Sequence, residues 1–115
     1  MSTYNDRKNL NQSIESILDQ TYRNFEFLIL DDASTDSSSE QLEAYQKLDK
    51  RIMIFSNKVN KGLTKSLNIL IKKSKGNYIA RQDSDDISMK DRFNTQINYL
   101  TDGKYDLCFT RAKLK

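Results

Sequence analysis

Four segments of the chain repeat apolar residues at the spacing of one helix face. In the first segment Leu10 is followed by Ile14, Ile17 and Leu18, the i, i+4, i+7 and i+8 positions that align on an α-helix. The same or a closely related spacing recurs in three later segments, which predicts four amphipathic helices. The predicted inward faces are Leu10, Ile14, Ile17 and Leu18; Leu42, Tyr45 and Leu48; Leu63, Leu67, Leu70 and Ile71; and Met89, Phe93, Ile97 and Leu100.

Residues at the ends of these segments indicate where the helices begin and end. Asn5 or Asp6 can cap the first helix, and residues 37–40 and 88–91 have the Ser-x-x-acid pattern of a capping box. Gly76 suits the C-terminal cap of the third helix, because glycine adopts the left-handed conformation without strain.

Short apolar runs between the helices are typical of strands. Residues 25–30 and 51–55 are almost continuously apolar, as in strands that are buried on both faces of a sheet. Residues 77–82 and 105–110 are predicted as two further strands, with Tyr78, Ile79 and Ala80 buried. Helices thus alternate with strands, which predicts an α/β fold with a mainly parallel sheet and helices on both faces.

Polar clusters follow three of the predicted strands. They are Asp31 and Asp32, residues 57–61, and residues 83–86, which we call the acidic turn. In open α/β sheets the ligand binds beyond the carboxyl ends of the strands. The three clusters are therefore expected to meet at one edge of the sheet and to form a binding site.

The acidic turn holds three carboxylates within four residues: Asp83, Asp85 and Asp86. They cannot all be buried without a positive partner. Oxygen ligands of this kind suit a hard cation, Mg²⁺ or Mn²⁺, which in turn binds a diphosphate. A solvated acidic loop is the alternative, because two aspartates at this spacing also occur by chance.

Composition narrows the function classes. The length of 115 residues predicts a single domain, residues 1–115, and a net charge of +3 is too small to indicate nucleic-acid binding. The chain has no histidine, which excludes histidine-based catalysis within it. It contains neither an apolar run of membrane-spanning length nor a signal peptide, so we expect it in the cytoplasm or at the inner face of the membrane.

Five sequence blocks occur in a characteristic order along the chain. They are S-T-Y-N at 2–5, S-I-L-D-Q-T-Y at 16–22, F-L-I-L-D-D-A-S-T-D at 27–36, N-K-G to L-N at 60–68, and G-N-Y-I to D-S-D-D at 76–86 with D-R-F at 91–93. Together they resemble the N-terminal, nucleotide-sugar-binding half of the family-2 glycosyltransferases, which have the Rossmann-like GT-A fold. The resemblance runs from residue 2 to about residue 100.

The resemblance implies a nucleotide site. Tyr4 would stack on the base, usually uracil, and Thr3 would hydrogen-bond to it. Asp32 would accept a hydrogen bond from the ring N–H of the base, and Asp83 would bind the ribose. Stacking together with one directional hydrogen bond is a simple way to select a base.

The resemblance also implies a metal-dependent reaction at the acidic turn. Asp85 would ligate Mg²⁺ or Mn²⁺ bridging the diphosphate, with help from Asp83, and Asp86 would face the donor sugar. The leaving group is a nucleoside diphosphate, and a cation stabilises the charge that develops on it.

The chain departs from the family pattern in three ways. The first strand is expected to be absent apart from its end at residues 2–5, and the glycine of D-D-G-S is replaced by Ala33, which we expect to be a small change. The acceptor-binding half, which carries the catalytic base of the family, is also expected to be absent. No catalytic residue can therefore be assigned within the chain.

Three functions remain open. The first is an inverting glycosyltransferase that moves a sugar from a nucleotide-diphosphate sugar, a UDP-sugar above all, to a hydroxyl of a glycan or lipid-linked acceptor in surface polysaccharide assembly. The second is a non-catalytic nucleotide-binding fragment or adaptor, which turnover would distinguish from the first. The third is a receiver-like domain, which needs a lone phosphoacceptor aspartate that the sequence pattern does not supply.

Overall fold

The computed structural model of the chain describes residues 1–110, which form three strands and four helices. Among these residues, no helix is both long enough and apolar enough to cross a membrane. The elements are β1 Ser2–Thr3, α1 Arg7–Leu18, β2 Phe27–Asp31, α2 Ser38–Leu48, β3 Ile52–Ser56, α3 Leu63–Lys73 and α4 Arg92–Thr101.

The three strands form one parallel sheet in the order β1-β2-β3. In β2, Phe27 lies opposite Ile52 of β3, and Leu30 lies opposite Ser2 of β1. The expected end of a strand at residues 2–5 is confirmed as β1, which is therefore short rather than absent. Because all three strands run in the same direction, the loops that follow them share one edge of the sheet.

The central strand β2 carries the core on both of its faces. Phe27 and Ile29 pack with α1 and α2 in the larger hydrophobic cluster, whereas Leu28 and Leu30 pack with α3 on the other face. Successive side chains of a strand point to opposite faces, so a strand covered on both sides has to be apolar throughout. The predicted α/β fold with helices on both faces of a parallel sheet is confirmed.

The predicted helix faces are confirmed in part. Leu10, Ile14 and Ile17 of α1 are fully buried. In α3, Leu70 is buried but Leu63 and Ile71 are about half exposed, because the small sheet offers this helix a narrow contact. Leu48, the last residue of α2, is 81% exposed, and Met89 lies before α4 and is also exposed, so both predictions were wrong.

Two predicted strands are wrong. Residues 77–82 and 105–110 have no regular secondary structure, and Tyr78, Ile79 and Ala80 are exposed. A strand needs a neighbour whose backbone groups it can pair with. With only two residues, β1 provides almost no ladder for a segment beside it, so local β propensity at residues 77–82 is not enough.

The capping predictions are confirmed in position for two helices. Asp6 and Ser37 occupy the N-cap positions of α1 and α2, but neither makes a side-chain capping hydrogen bond within residues 1–110. The box at residues 88–91 does not open α4 as predicted, because that helix begins at Arg92 and has Asp91 as its N-cap. The prediction for Gly76 was wrong as well, because α3 ends at Lys73 with Ser74 as an extended C-cap.

Candidate functional site

The loops that follow β1 and β2 are tied together at the carboxyl edge of the sheet. The side-chain oxygen of Asn5 accepts a hydrogen bond from the backbone N–H of Thr35 at 2.7 Å, and the Asn5 N–H donates to Ser34 Oγ at 3.0 Å. Asn5 has a φ of 50°, a conformation that asparagine tolerates better than most residues. The two loops therefore form one connected surface.

Asp32 is buried at the end of β2, and the chain itself binds its carboxylate. Oδ1 accepts from Asn57 Nδ2 at 2.7 Å and from the Lys61 N–H at 2.9 Å, and Oδ2 accepts from the Gly62 N–H at 2.8 Å. Burial raises the pKa of Asp32, but these hydrogen bonds outweigh it and hold the pKa below its ordinary value. An ionised Asp32 thus fixes the loop after β3.

The carboxylate of the neighbouring Asp31 is bound within the loop that follows β2. Its Oδ1 accepts hydrogen bonds from the backbone N–H and the hydroxyl of Ser34, three residues later. This local pairing closes the loop after β2 and explains why the two adjacent aspartates have different surroundings.

Thr3 and Tyr4 lie at the end of β1, beside this loop. Thr3 is only 2% exposed, and its hydroxyl is a buried polar atom without a partner among the described residues. Such atoms are uncommon in native proteins and indicate that a water or a ligand satisfies them. Tyr4 is 49% exposed, so part of the residue is accessible to a ligand.

The acidic turn is fastened to α1 by buried polar side chains. Ser13 Oγ donates to the carbonyl of Asp83 at 3.0 Å, and Gln82 Nε2 donates to Ser13 Oγ at 3.1 Å and to the carbonyl of Asp86 at 2.8 Å. Gln82 Oε1 accepts from Ser88 Oγ at 2.8 Å. Both ends of the turn are held at fixed positions, although no strand precedes it.

The acidic turn also lies close to the start of β1. Burial lowers the pKa of the Met1 amino group to about 5, and the negative charge of Asp83 opposes this shift. Ser13, which binds Asp83, lies within 3.7 Å of the Met1 sulfur. The structure therefore places the turn close to Met1, the residue that precedes β1.

The three carboxylates of the turn differ in their surroundings. Asp83 is bound by both arms of the Arg81 guanidinium at 3.0 Å, whereas Asp85 and Asp86 are exposed. Burial lowers the pKa of the Arg92 guanidinium, and Asp86 opposes this shift. Within residues 1–110, no three acidic, cysteine or histidine side chains converge on a common point.

Sequence reasoning missed the residues that support the turn. Ser13 lies within α1 and Gln20 lies just after its end, and both are completely buried. Gln20 Nε2 donates to the carbonyl of Met89 at 2.7 Å, and its Oε1 accepts from the Phe93 N–H at 2.9 Å. A polar side chain that is buried has to be hydrogen-bonded. A polar residue in line with the apolar stripe of α1 was therefore the sequence signal that could have identified Ser13 and Gln20.

The sequence can be compared with known proteins. A profile of Glycosyl transferase family 2 matches residues 1–113. Putative glycosyltransferase EpsE of Bacillus subtilis is 44% identical over 101 residues, which are 87% of this chain and 36% of EpsE. Putative teichuronic acid biosynthesis glycosyltransferase TuaG of the same organism is 32% identical over 97% of this chain and 44% of its own length. The chain thus spans less than half the length of these relatives.

Solved structures share the fold. S. aureus TarS 1-349 in complex with UDP superposes with a TM-score of 0.80 at 25% identity, over 88% of this chain and 30% of TarS. The mannosyltransferase PcManGT from Pyrobaculum calidifontis, in complex with GDP-Man and Mn²⁺, gives a TM-score of 0.80 at 19% identity, over 86% and 30%. The GT-A fold expected from the resemblance is confirmed, and the chain belongs to glycosyl transferase family 2.

Proposed function

We propose that this chain forms the donor-binding part of a glycosyltransferase that moves a sugar from a UDP-sugar to an acceptor hydroxyl. The observation that carries the proposal is the position of the acidic turn. Ser13 and Gln82 hold this turn against α1 and close to Met1, which supports the proposal that the turn faces the edge where Tyr4 and Asp32 lie. A base-stacking side chain and a set of carboxylates on one edge suit a nucleotide diphosphate.

The nucleotide would be bound by side chains at the ends of β1 and β2. The half-exposed ring of Tyr4 can stack on uracil, and the hydroxyl of Thr3, which has no partner within residues 1–110, can hydrogen-bond to it. Asp32 is proposed to accept a hydrogen bond from the ring N–H of the base, and Asp83 is proposed to reach the ribose. TarS, which shares the fold, was crystallised with UDP.

The acidic turn has the donor chemistry of a Mg²⁺ or Mn²⁺ site. Mg²⁺ is usually held by one or two carboxylates together with substrate phosphates, so a site without three converging carboxylates fits this role. Asp85, which is exposed, and Asp83 would hold the cation. When bound, the cation would neutralise the charge that develops on the leaving diphosphate. PcManGT provides an example of the same fold with Mn²⁺.

Few of the described residues can be assigned to the donor sugar and the acceptor. Asp86 is proposed to face the donor sugar, beside the buried guanidinium of Arg92. We assign the catalytic base of an inverting transfer to none of the described residues. The acceptor is proposed to be a glycan or lipid-linked hydroxyl in surface polysaccharide assembly, in line with the teichuronic acid role in the name of TuaG.

Substitution of Asp85 tests the proposal. Asp85→Asn removes one charge from an exposed side chain, so the fold should be kept while the cation loses its main ligand. We expect UDP with Mn²⁺ to raise the thermal unfolding temperature of the unmodified chain, because a ligand that binds only the folded state stabilises it. The same mixture should leave the unfolding temperature of Asp85→Asn unchanged.

Asp102→Asn is the matched control. Asp102 is the exposed C-cap residue of α4, so its replacement removes the same charge away from the turn. This variant should respond to UDP and Mn²⁺ as the unmodified chain does. An equal response in Asp85→Asn would show that Asp85 does not hold the cation.

A further inference from the structure

Arg81 and Asp83 form a two-point ion pair at the first carboxylate of the acidic turn. Arg81 Nε donates to Asp83 Oδ1 and Arg81 Nη2 donates to Asp83 Oδ2, both at 3.0 Å. Asp85 and Asp86 make no ion pair with the described residues. One of the two carboxylates assigned to the cation is therefore already occupied by a side chain of the protein.

The pair is held weakly enough to open. The side chains of Arg81 and Asp83 are 61% and 39% exposed, respectively. Exposed ion pairs contribute little to stability, because water competes for both partners and the long arginine side chain loses freedom. A ligand can thus displace Arg81 from Asp83 at small cost.

The backbone around this pair is fixed, in contrast to the arginine side chain. The carbonyl of Arg81 accepts a hydrogen bond from Arg92 Nη1 at 3.1 Å. The next residue, Gln82, is buried and bound to Ser13 and to the carbonyl of Asp86. The guanidinium of Arg81 can therefore leave Asp83 while it stays within a side-chain length of the acidic turn.

A divalent cation and Arg81 compete for the same oxygens. A guanidinium that binds both oxygens of a carboxylate leaves little room for the carboxylate to serve as a ligand. The planar guanidinium of arginine also fits the oxygens of phosphate. If Arg81 is released from Asp83 beside a diphosphate, it can therefore bind a second anion.

We propose that Arg81 exchanges Asp83 for the diphosphate of the donor. In the free protein it neutralises Asp83, and in the donor complex it binds a phosphate oxygen while Asp83 serves the cation. The inference rests on the proposed function, because it requires a diphosphate at this edge. It makes Arg81 a donor-binding residue in addition to Asp83, Asp85 and Asp86.

Arg81→Gln tests the exchange because the two expected effects have opposite signs. Without its competitor, Asp83 should bind Mn²⁺ alone about two- to fivefold more tightly, the range expected for loss of one exposed ion pair. UDP in the presence of excess Mn²⁺ should bind about tenfold more weakly, because a charged hydrogen bond to phosphate is lost. Free Mn²⁺ can be followed by electron paramagnetic resonance and UDP binding by calorimetry.

Lys90→Gln is the matched control. Lys90 Nζ lies 3.2 Å from Asp19 Oδ2 in a similarly exposed ion pair, so this variant removes one positive charge near the turn without touching Asp83. It should change neither affinity. If Arg81 only supports the fold, Arg81→Gln weakens Mn²⁺ and UDP binding together or changes neither, and the exchange is wrong. If the unmodified chain binds neither ligand, the proposed function itself fails and the exchange falls with it.

Discussion

Ala33 occupies a backbone conformation that glycine adopts more easily. Its φ is 66°, in the left-handed region, directly after the two aspartates at the end of β2. A residue with a side chain loses about 1–2 kcal/mol there. From the family resemblance, we expected alanine in place of glycine at this position to be a small change. The structure corrects this expectation, because the left-handed φ of Ala33 strains its backbone.

Ala33→Gly should therefore stabilise the fold. The relief of strain exceeds the entropy that glycine adds to the unfolded chain, so we expect a gain of about 0.5–1 kcal/mol in the free energy of unfolding. Urea denaturation measures it directly. A loss of stability in this variant would contradict the strained conformation of Ala33.

Gly62→Ala should have the opposite effect and lower the stability of the fold. Gly62 has a φ of 83° and a ψ of 160°, a region used almost only by glycine, and an added Cβ would meet no atom within 4 Å. The substitution should cost about 1–3 kcal/mol through backbone strain alone. A neutral result would show that the Asp32 carboxylate does not fix this loop conformation.

For single residues, the sequence predicted positions in the fold better than environments. Asp32 was expected to bind a base, and the pattern placed it correctly at the end of a strand. Its partners Asn57, Lys61 and Gly62 lie 25 to 30 residues away in the sequence, so a local pattern could not reveal that they hold its carboxylate. The Arg81–Asp83 pair was missed for another reason, since neither residue departs from an ordinary exposed pattern.

Among the elements, α1 does the most to position the site. Its apolar residues pack on the sheet, while Ser13 and Ser16, together with Gln20 just after the helix, hold the segment from the acidic turn to the start of α4. The helix was predicted because its stripe is local in sequence and is covered by the sheet. The segment at residues 77–82 was predicted as a strand and is not one, because strand formation depends on a neighbour that local sequence does not describe.

Gln20→Leu tests the support that α1 gives to the site. Leucine fills the buried position but removes the hydrogen bonds to the carbonyls of Ser16 and Met89 and leaves the Phe93 N–H without its acceptor. We expect the free energy of unfolding to fall by about 2–4 kcal/mol. Amide exchange should also become faster at residues 88–93.

Gln12→Leu is the control for this substitution. Gln12 lies on the exposed side of α1, shortly before Gln20 in the sequence, so the change should stay within about 0.5 kcal/mol. Equal losses in the two variants would mean that Gln20 does not stabilise the fold through its contacts with the site segment.

In the whole molecule, the faces of the sheet form the core and its carboxyl edge carries loops. Both faces of β2 are covered by helices, and the loops that carry Tyr4 and Asp32 follow the carboxyl ends of β1 and β2. An edge of this kind leaves backbone and side-chain groups free for a ligand, because the loops there do not take part in the core. This edge is where we propose that a donor nucleotide binds.

Calorimetric titration of the 115-residue chain with UDP, with and without Mn²⁺, shows whether the acidic turn binds a nucleoside diphosphate through a cation. We expect binding that depends on the metal, because the cation is proposed to join the diphosphate to Asp85 and Asp83. Binding of equal strength without Mn²⁺ would contradict the role of the acidic turn. Absence of binding from a sample shown to be folded would contradict the proposed donor site as a whole.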